Sequence, residues 1–145
     1  MNSGAAQAWF IAGTIPLILA GGGHAIQALL DVIRPRVFAP IERSVKAEME
    51  GTGIRLVGRG TPSMWRLWLG LHFTHGLGIF TFGLLCLLIA TQDFELVERI
   101  DAIRPLAIAF SGALLAISLR FFFYGPVIIT GTATACFTIA AVLSA

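Results

Sequence analysis

MWRLWLGLHFTHGLGIFTFGLLCLLIA, residues 64–90, decides how this chain is read. After Arg66 there is no Lys, Arg, Asp or Glu for 26 residues. About 20 apolar residues at 1.5 Å rise cross the ~30 Å hydrocarbon core of a bilayer. The stretch therefore predicts a membrane-spanning helix that carries His72 and His75. An ionisable side chain at that depth must find its partner in protein or in a water-filled cavity, which makes both histidines candidate functional residues.

The rest of the 145-residue chain has the same character. Hydrophobic residues make up 57% and charged residues 12% of it, against about 25% charged in a typical soluble domain, and the mean hydropathy is +0.85. Hydropathy separates four apolar segments, near 8–30, 67–90, 106–123 and 126–145, joined by a long first loop, 31–66. The expected fold is all-α: one antiparallel four-helix transmembrane bundle as a single domain, 1–145. Gly51, Gly53, Gly58 and Gly60 are scattered, with no GxxxxGK[ST] and no GxGxxG between strand and helix, so no phosphate-cradling loop is expected. The partners expected are the lipid bilayer, a lipid-soluble molecule, another membrane protein or a second copy of the chain, and no nucleic acid.

Charge sets the orientation. The first loop carries Arg34, Arg36, Arg43, Lys46, Arg55, Arg59 and Arg66 against four acids; the second carries Arg99 and Arg104 against Asp93, Glu95, Glu98 and Asp101. Arg120 falls on the same side as the first loop. Positive charge near span ends stays in the cytoplasm, so the first loop and Arg120 are expected there, with both termini outward, in a bacterial inner membrane. MNSGAAQAWF has no basic n-region and the apolar run after it exceeds a signal h-region, so the first span is expected to stay as a mature helix. Cys86 and Cys136 differ in depth by about 15 Å at helical rise and are expected as buried thiols rather than a disulfide.

Small residues recur at helical spacing in the first span, at Ala20, Gly21, Ala25 and Ala28, on the face that carries His24. That pattern admits a second backbone at close range, and Pro16 predicts a bend. In the first loop, Ile41, Val45 and Met49 stand four apart between charges, which suggests a short amphipathic helix over 41–50. Thr61-Pro62 reads as an N-cap and first helical residue for the second span. Trp65 and Trp68 are expected at headgroup level. Counting from Arg66, His72 lies about 9 Å and His75 about 13 Å inside; counting back from Leu30, His24 also lies about 9 Å inside. Antiparallel neighbours would then set His24 and His72 at one level. A further turn or two of helix is expected before Pro105. Arg120 precedes Phe121, Phe122, Phe123 and Tyr124 at an interface, Gly125-Pro126 is expected to make the third turn, and the threonines of span four are expected to bond back to their own helix.

His24, His72, His75 and Arg120 are thus a candidate ligand-binding constellation, with Trp68 beside it. Three imidazoles suit a transition metal, and one from each helix suits haem b. Histidine also serves as a general acid or base, or as a hydrogen-bond partner for a quinone or another polar-headed lipid, with Arg120 for an anionic group. Histidines that merely bond across the bundle to fix its packing are the plainest alternative. Without acids inside the membrane, a carboxylate-bridged two-metal site is set aside.

WLGLHFTHGLGIFTFG, 68–83, followed by RFFFYGP, 120–126, resembles an uncharacterised family of small bacterial four-helix membrane proteins. That family carries Trp-x-Gly-Phe-x-x-Ser-His-Gly-x-Gly in its second span and Arg-Phe-Phe-x-x-Pro after its third. The layout is more distantly similar to DoxX-like proteins. The resemblance implies a shared role for Trp68, Gly70, His75, Gly76, Gly78, Gly83, Arg120 and Pro126; Leu71 and Thr74 depart from it, and His72 stands outside it. It implies the architecture and no reaction. The function expected is a membrane protein whose polar pocket of His24, His75 and Arg120 binds a lipid-soluble molecule or a partner protein without turnover. The alternatives are a haem or metal redox protein using His24 with His72 or His75, and a structural subunit of a membrane complex. The orientation is tested directly: alkaline phosphatase fused after Ala145 is expected to be active in a bacterial host and the same enzyme inserted at Gly51 inactive, the reverse pattern overturning the charge argument.

Overall fold

The computed structural model describes residues 3–55 and 60–144; Gly58, Arg59 and Ala145 lie outside them. Six helices follow in order: α1 (Ser3–Ile33), α2 (Arg43–Gly51), α3 (Met64–Gln92), α4 (Phe94–Arg99), α5 (Ile103–Phe121) and α6 (Tyr124–Leu143). Among the described residues the β pairing is a single bridge between Gly53 and Ser63. The protein is all-α, and α1, α3, α5 and α6 are long and apolar enough to cross a membrane. Between 17 and 33% of the residues in their most apolar windows are buried. The exposed remainder is mostly hydrocarbon, which water does not solvate and a bilayer does.

The chain divides into two compact units, residues 1–20 with 79–145, and residues 21–78, so that α1 and α3 contribute to both. The first unit is a four-helix bundle. Its core gathers Ala6, Phe10 and Leu17 of α1, Cys86 and Ala90 of α3, Phe94 and Val97 of α4, Ala107 of α5, and Ala133, Phe137 and Ala140 of α6. Phe10 sits at the centre, its ring 5.0 Å from that of Phe137 and 6.2 Å edge-on from that of Phe94. Aromatic pairs at these spacings add to the area they bury. Gln7 Nε2 donates to the Ala90 carbonyl at 2.8 Å, tying the start of α1 to the end of α3. Further along, an added Cβ at Gly83 would stand 3.0–3.2 Å from Leu17 and Ile18 atoms, so the two helices run antiparallel at close range. Cys86 and Cys136 are free and buried.

The second unit holds the end of α1, the first loop with α2, and the start of α3. The antiparallel approach is closest here. A Cβ at Gly76 would lie 2.6 Å from the Ala25 nitrogen and 2.9 Å from the Gly21 carbonyl oxygen. The small residues of α1 therefore do what their spacing predicts: Gly21, Ala25 and Ala28 are buried. The amphipathic segment is helical as α2, and it is held on Trp65 by Lys46, whose ammonium lies 5.2 Å from the ring centroid.

Three local expectations are corrected. The cap of α3 is Ser63, not Thr61: Ser63 Oγ accepts from the Arg66 N–H at 3.4 Å, while the Pro62 carbonyl is taken by Ile54 N–H and Met64 N–H bonds the Thr52 carbonyl. That backbone pairing holds 61–63 extended, and the helix begins after it. The third turn is Phe122–Phe123, not Gly125-Pro126, because α6 starts at Tyr124. Pro126 sits in its first turn, where a missing N–H costs nothing. A Cβ at Gly125 would fall 2.9 Å from the ring of the exposed Phe123, which would have to move aside. Likewise α5 begins at Ile103 with Pro105 in its first turn rather than after Pro105. Pro16 lies inside a continuous α1. Three of the four threonines of α6 behave as expected, Thr130, Thr134 and Thr138 each donating to the carbonyl four residues back.

Gly76→Leu is expected to destabilise the protein by about 1–3 kcal/mol, because both neighbours of the new side chain are backbone and cannot yield. Gly78→Leu, which meets nothing within 4 Å, is the control. Equal unfolding midpoints in a denaturing-detergent titration would refute the close approach.

A histidine cluster under an aromatic roof

The contact at Gly76 fixes what lies next to it. One turn from Gly76 toward the start of α3 is His72, and one turn from Gly21 toward the end of α1 is His24. Two backbones in contact leave those side chains no distance to keep. His24 Nε2 and His72 Nδ1 are 3.1 Å apart, in hydrogen-bond range, with the rings at 5.2 Å and 37°. His75 stands edge-on to His24, centroids 5.4 Å apart at 73°. His24 and His72 are half-buried and His75 is exposed.

The first loop supplies a roof. Phe38 stacks on His72 at 4.1 Å and 19°, and lies 4.7 Å from His24. Trp68 closes the side, its ring edge-on to His72 at 4.4 Å and its indole N–H donating to the Phe38 carbonyl at 2.9 Å. The loop is bent back to this position by Asp31. That residue is 1% exposed, and its carboxylate accepts from the backbone N–H groups of Arg36 (3.0 Å), Val37 (3.1 Å) and Phe38 (2.7 Å). A buried carboxylate persists only where donors replace water, and here three successive amides do so. Pro35, which has no N–H, ends α1 just before them.

Neutral imidazole has one N–H and one bare nitrogen. In a bonded pair one ring donates inward, leaving its outer nitrogen bare, while the acceptor ring carries its N–H on the outer side. The pair thus presents a donor at one end and an acceptor at the other. Which ring takes which part is a tautomer assignment. His75 adds ring nitrogens for which no protein hydrogen bond occurs among the described residues.

Of the residues singled out from sequence, His24, His72, His75 and Trp68 are brought together. Arg120 belongs to the first unit, exposed at the end of α5 with its guanidinium 5.2 Å from the Phe121 ring centroid. Asp31 and Phe38 were missed as members of the site. An acid at a helix end followed by Arg-Pro-Arg was the available signal for Asp31; Phe38 had none beyond its aromaticity. Among the described residues no group of three His, Cys, Asp or Glu side chains is disposed to hold a metal ion. A haem iron between His24 and His72 would require rings that now bond each other to part.

Asp31→Ala strands three loop amides and is expected to cost about 2 kcal/mol of stability. Amide exchange at Arg36, Val37 and Phe38 would speed up while exchange in α3 beyond Gly76 stays unchanged. Protection retained at all three would show that Asp31 does not hold the roof. Comparison with protein-family models, with curated proteins and with solved structures gives no match to this chain, so the functional reading rests on its own residues.

Proposed function

We propose that this multi-pass membrane protein binds a lipid-soluble molecule with a polar head, such as a quinone, at the histidine cluster, and does so without turnover. The observation that carries the reading is the His24–His72 pair beneath Phe38 with His75 open beside it. A quinone offers two carbonyl oxygens and no donor, so it needs N–H groups; His75 and the outer N–H of the pair are the groups available. Its ring is flat and apolar, and Phe38 and Trp68 are surfaces on which such a ring packs. Arg120, at the end of α5 in the first unit, is assigned to an anionic lipid headgroup. The reading includes a bacterial inner membrane, a cytoplasmic first loop, and kinship with the small four-helix proteins that the sequence resembles. A polar group of a partner membrane protein would meet the same donors, and a bound haem or metal is the redox alternative.

Protein purified in mild detergent is expected to be colourless and to release quinone on solvent extraction. His75→Ala should retain about tenfold less quinone, the loss of one hydrogen bond of roughly 1.4 kcal/mol, while keeping the unfolding midpoint of the parent. A Soret band that shifts on dithionite reduction, or metal at one per chain, would replace this reading with the redox one. Quinone absent from the parent protein, with a polypeptide co-purifying in its place, would favour the accessory subunit.

A further inference from the structure

The second unit contains a groove of about 500 Å³ between the end of α1 and the start of α3, separate from the histidine cluster. Volumes of this order hold small ligands. The groove has a polar mouth and an apolar interior. Arg66, Gly70 and Phe73 follow at i, i+4 and i+7, on one face of α3, so these lining positions span about 10 Å of helix. Leu29 and Val32 of α1 form the opposite wall. Its floor is open because Gly70 has no side chain: a Cβ there would meet nothing within 4 Å.

The mouth carries a net positive charge. Glu50 lies at the rim, but its carboxylate is taken by the Lys46 ammonium, which also sits over Trp65. Arg66 is exposed and forms no ion pair among the described residues. A cation at the end of a membrane helix, with hydrocarbon walls running inward from it, matches a molecule with an anionic head and an apolar tail. We propose that this groove holds one anionic phospholipid, its phosphate at Arg66 and one acyl chain along Leu29, Val32 and Phe73 over Gly70. Lipid selectivity here is independent of the histidine reading, since no residue of the groove belongs to that cluster.

The test is native mass spectrometry of the full chain in detergent with equal amounts of phosphatidylglycerol and phosphatidylcholine. The parent protein is expected to carry a single lipid, the anionic one favoured roughly fivefold, which is the factor one cation near a headgroup supplies. Arg66→Gln should bring the ratio to about one, and Gly70→Leu should remove the lipid by filling the floor. Gly78→Leu, another glycine of α3 with open space, should keep it. No preference in the parent, preference persisting in R66Q, or lipid retained by G70L would each overturn the proposal. So would a dimer mass that G70L abolishes, which would make the groove a contact between copies. If G70L does not fold, R66Q decides alone.

Discussion

The backbone contact at Gly76 is the constraint on which the second unit depends. Within hydrocarbon, two apolar helices gain nothing by hiding from lipid, so association rests on van der Waals contact, and that grows with how near the backbones come. Gly76 of α3 against Gly21 and Ala25 of α1 reaches the limit, since even a methyl group would collide with main-chain atoms. The first unit uses the same device more gently, at Gly83 against Leu17 and Ile18 and at Gly13 against Phe137. What distinguishes the Gly76 contact is its neighbours. A histidine one turn away on each helix cannot avoid the other, and a packing contact becomes a polar site.

A polar site in such a position must be closed off, and the closure is electrostatic before it is hydrophobic. Asp31 is a charge that the apolar end of α1 would reject, were it not surrounded by the amides of Arg36, Val37 and Phe38. The exchange works in both directions. The carboxylate is satisfied, and three amides that leave the helix without partners are satisfied too. Phe38 is then delivered to His72 at stacking distance, and Trp68 fastens it through its indole N–H. Thus the site depends on a loop fixed at two points, one on each helix.

The spans, their number and the pairing of the first two were legible because each rests on a periodic or compositional signal. Apolar length gives a span, and small residues at helical spacing give a contact face. Equal depth of His24 and His72 followed from rise per residue alone. Helix ends were less legible. Proline reads as a stop, yet Pro105 and Pro126 both fall in first turns, where the missing N–H is harmless, and the Ser63 cap depends on a pairing with residues ten positions earlier. The roof was illegible for a stronger reason. Phe38 and Trp68 are 30 residues apart with no shared period, and their bond exists only once Asp31 has turned the loop.

The His24–His72 bond also limits what the cluster can hold. In surroundings of low dielectric a neutral hydrogen bond is strong and a lost one is costly. A ligand that inserted between the two rings would have to replace their mutual bond and displace Phe38 from His72, giving up stacking as well. A ligand that instead approached the outer nitrogens and the exposed His75 would lose neither, and the bonded pair offers it a donor at one end and an acceptor at the other. Under the proposed function, guests are therefore read from outside the pair by their hydrogen-bonding pattern rather than clasped within it. A planar molecule bearing carbonyl oxygens belongs to the first kind, and an iron that takes one axial nitrogen from each helix belongs to the second.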